Sequence, residues 1–208
     1  LVGSEMCIRD SVVTSYIHGG GRIGVIIAAN GATDDAAKEA ITNIAMQVAA
    51  MNPQYISRND ISDEELAKLR EITVDSALND AATLPKPILN KLIDKAINEK
   101  LWSDDDINNF NEHKNNMNYV WNFLSDAAKA KLGELAMADK ESIVAEKMFN
   151  GLVEGRVSKQ LKEICLLDQT YVKAEDGKQS VAKYLESVSK DLTITEMVRF
   201  EVGEGMEK

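Results

Sequence analysis

The stretch Val12-Val-Thr-Ser-Tyr-Ile-His-Gly-Gly-Gly-Arg-Ile-Gly-Val-Ile-Ile-Ala-Ala29 decides the fold, because its glycines read two ways. Gly19, Gly21 and Gly24 satisfy G-x-G-x-x-G literally, the spacing of a dinucleotide-binding turn whose backbone N–H groups cradle phosphates. Such a turn follows a strand and opens into a helix, whereas Arg22 to Ala29 is a β-branched, apolar run. The pattern therefore predicts a β-hairpin: strand Val12 to His18, a reversal over Gly19 to Gly21, and a returning strand Ile23 to Ala29.

Outward from the hairpin the chain is mostly helical. Thr33-Asp-Asp35 starts a helix whose Ala37, Ile41, Ile44 and Val48 recur every three or four residues, and Asn52-Pro53 stops it. From about residue 57 to 162 helix follows helix. Ser62-Asp-Glu-Glu65 has the form of a capping box, Pro85 and Pro87 mark a new start, and Phe149, Val153, Val157 and Leu161 fall four apart. A last helix, about Ser180 to Lys190, precedes a third strand, Met197 to Val202. There Val198, Phe200 and Val202 alternate with Met197, Arg199 and Glu201, so one face is core and the other wet. The expected fold class is α+β: a small three-stranded antiparallel sheet with packed helices and a long helical, coiled-coil-like insertion.

Composition narrows the function. With 208 residues, 44% of them apolar but only 5% aromatic, the chain supports an aliphatic, alanine-rich core. No apolar run nears the roughly 18 residues that span a bilayer, and no membrane partner is expected. A net charge of −10 opposes nucleic-acid binding, which needs a surplus of Lys and Arg on some face. Cys7 and Cys165 form no C-x-x-C pair, which suits a reducing cytoplasm, and Cys165 in Ile-Cys-Leu-Leu reads as a packing residue. Residues 1–10 match neither a signal peptide nor the remainder of the pattern and read as a non-native leader.

The hairpin, together with three further blocks in the same order, resembles the bacterial elongation factor Ts family. The blocks are Ala45-Met-Gln-Val-Ala-Ala-Met-Asn-Pro53, then Glu154-Gly-Arg156 with Glu163-Ile-Cys-Leu-Leu-Asp-Gln169, and Val198-Arg-Phe-Glu-Val-Gly-Glu-Gly205. The resemblance implies a guanine-nucleotide exchange factor that promotes GDP release from elongation factor Tu. It implies no bond chemistry of its own, no cofactor, no metal and no small-molecule substrate. It divides the chain into a core-type subdomain, residues 11–56 and 163–208, and a helical insertion, 57–162. It also implies that the family's N-terminal half, with its Thr-Asp-Phe-Val segment, is absent here, so that this chain alone exchanges nucleotide poorly. The alternative is a helical interaction scaffold without exchange activity.

On its own, a histidine beside glycines is a turn residue. The resemblance makes His18 a contact that reaches into the partner, with Tyr16, Gly19, Gly20 and Arg22 around it. His113 has no second histidine at helical spacing and reads as a surface residue, Asp104-Asp-Asp106 as a helix cap, and Trp102, Trp121 and Phe123 as a packing seam. No Ser/His/Asp grouping and no G-x-x-x-x-G-K-[ST] motif is present.

Overall fold

In a computed structural model that describes residues 11–203, the chain forms two compact units. The leader expected over residues 1–10 lies outside the described residues, as does the end of the last family block. One unit comprises the described residues up to Ser62 with those from Lys159 onward; the other is Asp63–Ser158.

The first unit holds a sheet of order β1-β2-β3, with β1 at Ser11–His18, β2 at Ile23–Asn30 and β3 at Thr193–Glu201, both pairings antiparallel. Helix α1, Asp35–Met51, begins where the Asp34 side chain accepts from Ala37 N (2.8 Å) and ends at Asn52 in the left-handed region. Its Ala37, Ala40, Ile41, Ile44, Ala45 and Val48 are fully buried in one cluster with Val25, Ile27 and Ala29 of β2. The alanines carry no bulk beyond Cβ, so the helix axis can lie close to the sheet. A helix at Val181–Val188 adds Val181 and Leu185 to the same core. Gln47 is the one polar side chain of α1 in this core, fully buried. It donates through Nε2 to Gln169 Oε1 and Thr170 O (both 3.1 Å) and accepts from Val172 N (2.8 Å).

The third strand departs from the simple alternation. It begins at Thr193, four residues before the expected Met197, and a bulge sits opposite Ala28 and Ala29, so that Ala29 pairs with Ile194 but Ala28 pairs with Glu196. Thr195 is the extra residue, its hydroxyl donating to Ala28 O at 3.2 Å. One inserted residue shifts every later side chain to the opposite face. Ile194 and Met197 therefore pack on the core, while Val198, Phe200 and Val202, the apolar half of the alternation, are exposed. Val13, Ile17 and Ile26 are exposed with them, so the outer face of the sheet is apolar as well.

The second unit is helical: α2 Asp63–Asn79, α3 Lys86–Asn98, α4 Asp104–His113, α5 Met117–Val120, α6 Asp126–Ala138, α7 Lys140–Val144 and the greater part of α8, Lys147–Ile164. Helix α6 packs against α2 and α3, with Gly133 passing close to the backbone of Asn79. Ser103 caps α4 and Ser125 caps α6, and both hydroxyls donate to the buried Asp106 Oδ2, at 2.7 and 2.9 Å. Asp106 Oδ1 also accepts from Ser125 N (2.8 Å), so one carboxylate ties two helix starts together. Trp102 is buried and donates to Ala128 O (3.1 Å). Phe123 is instead exposed and stacks on His113, with ring centroids 3.7 Å apart.

Candidate functional site

The site is built from the hairpin outward. His18 pairs with Ile23, leaving Gly19 to Arg22 as the loop. Gly19, Gly20 and Gly21 have φ of 62°, 68° and 94°, three successive left-handed residues that a side chain would strain. A Cβ at Gly20 or Gly21 would meet nothing within 4 Å, so backbone conformation rather than crowding demands glycine there. The result is a turn only a backbone wide over Gly19 to Gly21. The segment after it stays in strand through Asn30 and α1 begins only at Asp35, so the turn does not open into a helix as a phosphate-binding fingerprint would.

Period-two alternation puts Tyr16 and His18 on the same face of β1. The Tyr16 hydroxyl lies 3.0 Å from His18 Nδ1, with ring centroids 5.9 Å apart and tilted by 35°. Tyr16 is half-buried against the core cluster, while His18, Gly19, Gly20 and Arg22 are exposed. The arrangement is thus a fixed phenol holding an exposed imidazole at the end of a slim ribbon. Arg22 takes part through its carbonyl, which accepts from Val202 N (2.8 Å).

The register adds two residues that sequence reading missed. Tyr16 and Val25 share a row with Arg199, and two rows on, nearer the tip, His18 and Ile23 share one with Glu201. Arg199 Nη2 donates to Glu201 Oε2 (2.8 Å), and its side chain is 11% exposed, with Nε unpartnered among the described residues. The alternation of β3 held the signal, but only a known register brings these residues level with the tip.

Other features carry less chemistry. No cluster of three His, Cys, Asp or Glu side chains able to hold a metal occurs among the described residues. Cys165 is buried, and burial above all pushes its thiol up, which suits packing rather than reactivity. A cleft of about 730 Å³ beside the stacked pair Tyr171 and Tyr184 mixes Lys173, Lys178 and Lys183 with Glu175 and Asp176, an arrangement of no single sign.

Comparison with known proteins places this geometry in a lineage. Residues 4–204 match the family model described as Elongation factor TS. Elongation factor Ts of Clostridioides difficile (strain 630) is 32% identical over 204 residues, an alignment spanning 97% of this chain and 47% of the relative. Elongation factor Ts of Clostridium perfringens (strain 13 / Type A) is 34% identical over 220 residues, spanning 100% and 52%. The Heliobacterium modesticaldum protein is 29% identical over 206 residues, spanning 96% and 67%. The chain thus spans about half the length of the first two relatives.

Proposed function

Because this chain belongs to the elongation factor Ts family, we propose that it acts in protein synthesis by promoting GDP release from elongation factor Tu. In this reading the tip, with Tyr16, His18, Gly19, Gly20 and Arg22, enters the partner, and the helical insertion over residues 57–162 is an accessory to the core-type subdomain formed by 11–56 and 163–208. The protein works in the cytoplasm and breaks no covalent bond. The observation that carries the reading is the tip: three left-handed glycines make it slim, and Tyr16 holds His18 at its end.

The physics is linkage. If the chain binds Tu more tightly without GDP than with it, GDP must bind the complex more weakly by the same factor. A ligand held at nanomolar strength is bound by about 12 kcal/mol, and each 1.4 kcal/mol of coupling weakens it about tenfold. A side chain that disturbs the nucleotide site by a few kcal/mol is enough, and no bond chemistry is required.

Calorimetric titration of the chain into nucleotide-free Tu and into Tu loaded with GDP tests this. Tighter binding to the nucleotide-free form is expected. Equal affinities, or no binding to either, would favour a helical scaffold without exchange activity.

A further inference from the structure

The contact between Tyr16 and His18 fixes more than a distance. A hydrogen bond holds one proton, so the 3.0 Å separation means either that the phenol O–H donates to Nδ1 or that Nδ1–H donates to the phenol oxygen. A phenol is the better donor of the two, and an imidazole nitrogen lone pair is the better acceptor, so donation runs from oxygen to nitrogen. In neutral imidazole only one ring nitrogen carries a proton, and the hydrogen bond at one nitrogen decides the state of the other. With Nδ1 accepting, Nε2 carries the hydrogen on an exposed side chain.

We propose that Tyr16 is a positioning residue that fixes His18 as an Nε2–H donor at the tip. The group His18 meets is therefore a hydrogen-bond acceptor, a carbonyl or carboxylate oxygen of the partner protein, and not a donor. This rests on the reading above that the tip enters a partner. Three observations converge on it. Tyr16 is packed against the core cluster, so its hydroxyl is delivered from a fixed ring. The two residues sit one pleat apart on one face of a strand that is paired along its whole length. His18 is exposed, and the glycines that follow it carry no side chains to cover it. Orienting the ring before the encounter removes part of the ordering cost of binding.

The test uses the 208-residue chain with ¹⁵N-labelled histidine. Long-range proton–nitrogen spectra, at a pH where the ring is neutral, report which nitrogen is protonated, and His18→Ala assigns the signals between His18 and His113. The Nε2–H tautomer should dominate at His18, and Tyr16→Phe, which keeps the ring and removes only the hydroxyl, should move it toward a mixture while the melting curve stays in place. An Nδ1–H tautomer, or a spectrum unchanged in Tyr16→Phe, overturns the inference. In titrations against nucleotide-free Tu, Tyr16→Phe should weaken binding about threefold to tenfold, the scale of one lost hydrogen bond. It should add nothing once His18 is alanine. Losses that add in the double mutant would show the tyrosine acting on its own and overturn the positioning role. A correct tautomer with no change in affinity for either single mutant would overturn the docking premise instead, and the two failures are distinguishable.

Discussion

Replacing Gln47 with leucine should destabilise the sheet-bearing unit, although by hydropathy alone it should help. Gln47 lies in mid-helix among alanines and isoleucines, fully buried, and its amide meets Gln169 Oε1, Thr170 O and Val172 N. Leucine leaves all three without that partner. Gln169 cannot easily turn to compensate, because its own Nε2 already donates to Glu163 O at 2.7 Å. The buried Gln169 oxygen costs about 1–3 kcal/mol when orphaned, while Thr170 O and Val172 N, on exposed residues that water can reach, cost about 0.5–1.5 kcal/mol each. Leucine's extra apolar burial returns about 1–2 kcal/mol, and relaxation of the 170–172 segment recovers some more. A net loss of about 1–3 kcal/mol follows. Urea unfolding followed by far-UV dichroism, with amide exchange at Val172 as the local probe, measures it. Tryptophan fluorescence does not report on this unit directly, since Trp102 and Trp121 both belong to the other one. A loss under about 1 kcal/mol, or a gain, would refute the reasoning by showing that the network is not what holds this loop to α1.

Three further outcomes are expected. Gly31→Ala should cost more than about 3 kcal/mol, since Gly31 has φ +101° and a Cβ there would lie 1.8 Å from the Asp191 carbonyl oxygen, whereas Gly155→Ala, in open space inside α8, should gain about 0.5–1 kcal/mol; parallel denaturant melts decide between them. Burial pushes the Asp106 carboxyl up, but the bonds from Ser103 and Ser125 outweigh it and hold it below the ordinary carboxylate value. Its contribution is therefore present above about pH 4 and lost as pH falls through the lower native value, so Asp106→Asn should flatten the acid limb of the second unit's stability profile, read by tryptophan fluorescence. Phe200→Ser should cost under about 1 kcal/mol against about 2–5 kcal/mol for Ile27→Ala, because Phe200 is 60% exposed and Ile27 is 0% exposed; comparable losses in urea melts would contradict the outward assignment of Phe200.

The hairpin, α1 and the closing strand were legible because each announces itself locally: β-branched runs around glycines, a period near 3.6 ended by Asn52-Pro53, and alternation at Met197 to Glu201. The phase of β3 was not. It depends on Thr195 being bulged, and nothing in Thr193-Ile-Thr-Glu-Met marks which residue leaves the ladder. The role of Gln47 was hidden for a related reason, since its partners lie more than 120 residues away in sequence. At the tip, sequence supplied the glycines and His18, while the hydrogen bond between Tyr16 and His18 and the level placing of Arg199 and Glu201 needed the pleat and the register. Local chemistry reads from residue order; cross-strand neighbours do not.

The central claim is that His18 acts on a partner rather than on this fold, and stopped-flow release of a fluorescent GDP analogue from elongation factor Tu tests it most directly. The chain is measured alone and fused behind the N-terminal half of the Clostridioides difficile relative, each with His18 and with His18→Ala, beside thermal melts of all four. The fused form should accelerate release more than the chain alone. His18→Ala should cut the acceleration about tenfold to hundredfold, the scale of a packed intermolecular contact, while the melts stay in place because a tip substitution costs under about 0.5 kcal/mol. Unchanged release in the mutant, or a melting loss large enough to account for the defect, would contradict the account.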